Sequence, residues 1–147
     1  MIHVYPGIQE DHLSQVYAHP QMSRTGHDFR QAAPIAGALY LSAFVREEFA
    51  GAVALVKICA YEIDVHSMLF PEFVRQSREI WRQVIRWAFC DPAIQRLTAQ
   101  IPEDLPTVRN LAKRCGFRDE GFKRRSIRRG GQWIGLYLLG ITTEEVI

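Results

Sequence analysis

The chain has 147 residues, of which 48% are hydrophobic and 23% charged, with a net charge of +2. That suits a single globular domain over 1–147, long enough to bury ~70% of its unfolded surface without a metal or disulfide staple. The overall charge is too small to imply a nucleic-acid partner, and the cysteines at 59, 90 and 115 match no zinc or redox spacing.

Each cysteine sits in an apolar run, which predicts reduced core thiols in a reducing compartment. The first twelve residues lack a basic stretch leading into an apolar one. No run approaches the ~20 apolar residues of a membrane span. The expectation is a cytoplasmic protein with no membrane partner. His3, His12, His19 and His27 have no ligand-like spacing with acids or cysteines, so no metal is expected.

In chain order, residues 2–5 form a short strand candidate closed by Pro6-Gly7. Residues 10–18 carry Leu13, Val16 and Tyr17 at helical spacing. Residues 19–37 hold two prolines and two glycines and read as loop with room for one short helix. Residues 38–45 and 50–58 are rich in strand formers around a turn at Arg46-Glu47-Glu48, an antiparallel hairpin. Residues 60–69 alternate: Tyr61, Ile63, Val65 and Leu69 face one way, Glu62, Asp64, His66 and Met68 the other.

Residues 71–89 predict one long helix with an apolar face of Phe73, Ile80, Trp81, Val84, Trp87 and Ala88. Arg75, Arg78, Arg82 and Arg86 mark another face. Asp91-Pro92 ends it. A strand follows over 96–101, then a helix over 107–115 released by Gly116, which suits a left-handed position. Residues 122–128 and 133–139 make a hairpin around Gly130-Gly131. Three early strands in succession predict a largely antiparallel sheet, and the later strand–helix–strand crossover adds one parallel pair.

The steps Gly116-Phe117, Glu120-Gly121 and Gly130-Gly131, in that order of elements, resemble the end of the ribosomal-protein-acetyltransferase-like branch of the GNAT superfamily. The resemblance implies an α/β (α+β) fold with a mixed, mainly antiparallel central sheet of six to seven strands flanked by about four helices. It implies an acyl-CoA-dependent N-acyltransferase, moving acetyl from acetyl-CoA to an amine of a protein or small molecule by direct attack in a ternary complex. Backbone N–H groups near Ser67, Met68 and Leu69 would then meet the thioester oxygen, and the family's frequent dimerisation makes a homodimer a candidate assembly.

The family's pyrophosphate loop reads Q/R-x-x-G-x-G/A, and its glycines bring backbone N–H groups to the phosphates. Here it aligns with Val74, Arg75, Gln76, Ser77, Arg78 and Glu79. Both required small residues are altered, and Glu79 brings a carboxylate toward the phosphates. Arg75 and Arg78 offer direct phosphate contacts instead.

N-acetyl transfer needs a base for the amine proton. Glu62 occupies the family's usual carboxylate position, and Asp64 and His66 follow on the same strand face, His66 with a side chain that titrates near neutrality. Any half-exposed strand also alternates this way. Residues 105–115 contain no tyrosine, so the family's usual acid is missing.

These departures motivate a second reading, a catalytically silent GNAT-like interaction or assembly protein, analogous to short GNAT-like chains of bacteriophage virions. Finally, nine Lys/Arg between 105 and 129 (Arg109, Lys113, Arg114, Arg118, Lys123, Arg124, Arg125, Arg128, Arg129) face only Asp119 and Glu120, a local +7 in a chain of +2. This is a solvated face or a contact for CoA or a protein partner. Nucleic acid ranks last, because aromatic residues for base stacking are sparse here.

Overall fold

The computed structural model describes residues 1–20 and 34–146, and its strands form one seven-stranded sheet. They are β1 (Ile2–Pro6), β2 (Leu39–Val45), β3 (Glu48–Cys59), β4 (Glu62–Leu69), β5 (Arg96–Pro102), β6 (Arg118–Arg129) and β7 (Gln132–Thr142). The helices among the described residues are α1 (Glu10–Ala18), α2 (Ser77–Ala88) and α3 (Pro106–Arg114). Most of the stretch expected to hold a further short helix lies outside the described residues.

The sheet order is β1-β2-β3-β4-β5-β7-β6, and only β4 and β5 run parallel. The expected mixed, mainly antiparallel sheet is present. Two of its three two-residue hairpins solve the same twist problem with different residues. Gly130 and Gly131 (φ 59° and 77°) join β6 to β7, whereas Arg46 and Glu47 (φ 49° and 69°) join β2 to β3 at some steric cost. The second turn is thus two residues, with Glu48 already in the strand.

Alternation along the central strands gives the sheet two apolar faces. Leu41, Val53, Ile63, Val65, Leu97 and Leu139 pack with Ile80, Trp81 and Val84 of α2. On the opposite face, Tyr40, Ala52, Ala54 and Met68 pack with Val16 of α1. Phe117, released by Gly116 (φ 106°), returns to the first core with its ring edge-on to Trp81.

Several expectations need correction. The single helix over 71–89 is two elements: a 3-10 segment at Pro71–Gln76, bent at Phe73 (φ −104°, ψ 20°), then α2. Pro71 suits either start. Ile85, not Trp87, completes the buried face of α2, and Trp87 is 36% exposed. None of the three thiols is a core residue: Cys90 is exposed, and Cys59 and Cys115 are half-buried. Both strands of the last hairpin start earlier or run longer than their apolar patterns, because β6 is exposed throughout its first eight residues and carries little periodic signal.

Candidate active site

The parallel pairing of β4 with β5 covers three residue pairs, Glu62↔Arg96, Ile63↔Leu97 and Asp64↔Thr98. Beyond them β4 continues to Leu69 and β5 to Pro102 without a shared ladder. β4 stays bonded to β3, and β5 to β7, so the sheet splays into a gap at its centre. The Phe70 N–H donates to the Ala50 carbonyl (2.9 Å), which fixes the alternation along β4. The Ile63 carbonyl, on the other parity, accepts from Thr98 Oγ1 (3.4 Å) across the β5 side. Val65 and Ser67 share that parity, so their backbone groups face the gap.

Close packing holds β4 in place. Gly51 of β3 (φ 113°) lies opposite Leu69, and a Cβ there would overlap the Met68 carbonyl and come within 2.7 Å of Leu69 Cα. Only glycine permits this approach.

Glu62, Asp64 and His66 share the α1 face, as the alternation predicts, but they fall into two groups. Glu62 lies in the paired section, 3.8 Å from Arg96 Nε, and Arg96 also binds Glu120. The Arg96–Glu120 pair crosses β7 directly over Gly140, where a Cβ would overlap both side chains. His66 lies where the gap has opened. Its Nε2 lies 3.0 Å from Asp64 Oδ2. Asp64 is largely buried and His66 about half-exposed. Asp64 Oδ1 is buried with no hydrogen-bond partner among the described residues.

The residues aligned with a phosphate loop are arranged differently from one. Ser77 is buried, its hydroxyl donates to the Val74 carbonyl (2.6 Å), and its backbone N–H goes to the same carbonyl. The Val74 side chain points to solvent, and Met68 and Leu69 are buried in opposite cores. The 3-10 segment thus consumes an N–H group that a glycine loop would leave open.

The cations lie beside this turn, in a cavity of about 540 Å³ lined by Arg75, Arg78, Arg82 and Arg114 over a floor that includes Ile85, Cys115 and Ile141. Glu79 also borders it, with its carboxylate near Arg82 (3.4 Å) and Gln83 (3.5 Å). Burial pushes the Cys115 thiol up, against the pull of Arg78 and Arg114. The recurrence of arginine at 75, 78 and 82 was visible in the sequence, whereas the approach of Arg114 from another helix was not.

Several other candidates are engaged elsewhere. Tyr17 and Tyr40 bond each other through their hydroxyls (3.1 Å), and burial raises the Tyr17 phenol. Of the basic segment, Arg109 and Lys113 grip Asp119, Arg118 pairs with Glu145, and Arg129 with Asp104. The Arg109 guanidinium holds the Asp119 carboxyl below the usual range, with help from Lys113. No group of metal-ligating side chains occurs among the described residues, and no helix among them is long and apolar enough to cross a membrane.

No family model and no curated protein matches the sequence. Solved structures do match the fold. A spermidine N-acetyltransferase from Vibrio cholerae, solved with CoA and spermine, superposes with a TM-score of 0.81 at 12% identity, covering 99% of this chain and 97% of that one. A GNAT-family acetyltransferase from Streptococcus pneumoniae superposes with a TM-score of 0.75 at 17% identity, covering 97% and 99%. The fold is that of the GNAT acetyltransferases. Within the GNAT fold of this chain, the splayed β4–β5 pair separates the Asp64–His66 face from the α2–α3 face that carries the arginine-lined cavity.

Proposed function

We propose that the chain is an acyl-CoA-dependent N-acetyltransferase in which cosubstrate and acceptor approach the β4–β5 gap from opposite faces of the sheet. The carrying observation is the one-sided pairing of β4 beyond Asp64, with Asp64–His66 on one face and four arginines on the other. The neighbouring Vibrio cholerae enzyme was solved with CoA and an amine, which supports a thioester and an amine as the two ligands.

The residues present fit acetyl-CoA by chemistry. Guanidinium groups of Arg75, Arg78, Arg82 and Arg114 suit phosphates, and take over from the backbone N–H groups that the Ser77 turn consumes. Outward amides at Val65 and Ser67 suit an extended, amide-containing chain and a thioester oxygen. Acetyl-CoA supplies the activated acetyl group when bound. His66 takes the proton of the attacking amine, and the Asp64 carboxylate, 3.0 Å from its Nε2, stabilises the charged ring that results. α3 carries no tyrosine, so the thiolate departs without a protein acid, and juxtaposition of amine and thioester supplies much of the acceleration.

Acetyl-CoA should raise the melting temperature saturably, by ~2.7 kcal/mol of stability at a hundredfold excess over Kd. Release of free thiol should follow when an amine is added. No stabilisation at millimolar acetyl-CoA would sink the proposal. It would favour instead a silent GNAT-fold interaction protein, the reading that the closed turn at Ser77 supports on its own.

A further inference from the structure

The register of the last hairpin places its cations at the mouth of the gap. β4 and β5 are paired at their N-terminal ends, so the gap opens toward Leu69 and Pro102. β7 runs antiparallel to β5, and Leu136 pairs with Pro102, the last residue of β5. Residues 132–135 therefore overhang the end of β5. On β6, Lys123 lies opposite Leu136, and an irregularity follows before Ile127 rejoins Ile134. Lys123, Arg124 and Arg125 are thus level with the mouth, and Arg125 has a left-handed backbone (φ 49°).

This arm has a fixed root. Gly135 and Glu103 exchange two bonds: Glu103 N–H to the Gly135 carbonyl (3.0 Å), and Gly135 N–H to the Glu103 carboxylate (2.8 Å). The Phe122 ring covers Gly135 so closely that a Cβ there would overlap it. The acids at this corner are engaged, Glu103 by Gly135 and Asp104 by Arg129. Among the described residues, Lys123, Arg124 and Arg125 are exposed and none is in an ion pair. A molecule reaching the gap past this corner meets three uncompensated positive charges.

We infer that the acceptor amine is carried on an acidic polypeptide segment, docked along the β6 edge by Lys123, Arg124 and Arg125. The inference rests on the acetyltransferase reading and names its substrate class. Charge decides against polyamines: a polycation would be repelled from the mouth, and acidic side chains beside the amine would be attracted. Base amino groups of nucleic acid are poor acceptors, because their lone pairs are delocalised into the ring, whereas a lysine or an N-terminus supplies an aliphatic amine. The aromatic neighbour Trp133 has the Arg125 guanidinium 5.6 Å from its ring centroid, and aromatic residues for base stacking are sparse along this segment. β6 is also the outer strand of the sheet, so one of its edges is available to an extended peptide. The same positive edge disfavours pairing with a second copy of itself.

The test compares three acceptors on the full chain with saturating acetyl-CoA: a lysine peptide rich in Asp and Glu, its Lys/Arg-rich counterpart, and spermidine. Binding of the labelled acidic peptide is followed in parallel by fluorescence anisotropy without acetyl-CoA, so the docking surface is decided even if no transfer occurs. The acidic peptide should have the higher kcat/KM by about tenfold or more at low salt, and the advantage should shrink as salt is added. The triple variant Lys123→Glu, Arg124→Glu, Arg125→Glu should raise KM and weaken anisotropy binding about tenfold, with kcat and acetyl-CoA affinity unchanged. The triple glutamine variant should fall between, which guards against misfolding of the reversed one. Preference for spermidine or the basic peptide, peptide binding unaltered in both variants, or an acetyl-CoA affinity that falls with the reversal would each overturn the inference. So would binding of an oligonucleotide, but not the acidic peptide, through these three residues. Loss of the acetyltransferase reading alone shows as absent acetyl-CoA stabilisation with peptide binding intact.

Discussion

The two ends of β4 have the same alternating sequence and opposite surroundings. At the closed end, Glu62 is in a continuous ladder with Arg96, and Arg96 reaches over Gly140 to Glu120. At the open end, His66 and Ser67 have β3 on one side and no ladder on the other. The difference teaches that one residue pattern meets two environments on this strand, set by distance from the point of splay. The carboxylate within the ladder is held in an ion pair. The proposed mechanism gives the amine proton to the histidine two strand positions past the last paired residue, beside a largely buried carboxylate.

The largest expected effect tests the open end. His66→Ala should lower kcat by about 10²–10⁴-fold, the usual range for losing a general base and about 3–5 kcal/mol of barrier. Its melting temperature should barely move, because the side chain is about half-exposed. Steady-state kinetics beside a thermal melt would check both halves. Retention of full turnover would remove His66 from the mechanism and with it the contrast between the two ends.

Next comes the closed end. Leu97 is fully buried beside the last paired section of β4 and β5. Leu97→Ala should cost about 2–5 kcal/mol of stability, as large-to-small core changes do, read from chemical denaturation. KM for acetyl-CoA should stay near its original value below the new midpoint. A large rise in KM without loss of stability would mean that the ladder shapes the gap directly rather than merely holding its base together.

Much of the framework was legible in the sequence, and the reason is local. Gly116 has to release a helix and Phe117 has to return to the core, and both events are written in two adjacent residues. Gly130-Gly131 likewise specifies its own turn. The alternation of 60–69 correctly put Glu62, Asp64 and His66 on one face. It could not separate them, because the splay depends on where β5, more than thirty residues on, stops pairing. The backbone form of the stretch aligned with a phosphate loop was not legible for a related reason. Pro71 is compatible with an α-helix or a 3-10 turn, and the bend at Phe73 becomes evident only when its ring enters the core. The cation cavity joins residues of α2 with Arg114 at the end of α3, a juxtaposition with no trace in any single segment.

A smaller effect sharpens the comparison from the β3 side. Gly51→Ala forces a side chain against the Met68–Leu69 backbone at a left-handed position. The expected cost is about 1–3 kcal/mol, and because the displaced atoms belong to the wall of the gap, acetyl-CoA affinity should fall as well. Titration by calorimetry would read the second effect. A variant that loses stability but keeps its affinity would show that the open half of β4 yields without disturbing the site.

The smallest expected effect is the most discriminating. Glu62→Gln removes one carboxylate 3.8 Å from Arg96 but leaves Arg96 bound to Glu120. Both Glu62 and Arg96 are partly exposed, so solvent screens their attraction, and the loss should be no more than about 1 kcal/mol. Turnover should stay within about twofold of the original, set against the hundredfold or greater loss at His66. The sequence pattern alone favours the reverse, since Glu62 holds the position where the resembled family places its base. A collapse of kcat in Glu62→Gln, with His66→Ala near normal, would put the proton acceptor inside the ladder and require Arg96 to release the carboxylate during the reaction. Normal turnover in Glu62→Gln, with loss at His66, would place the chemistry beyond the splay, where β4 gives up its second partner.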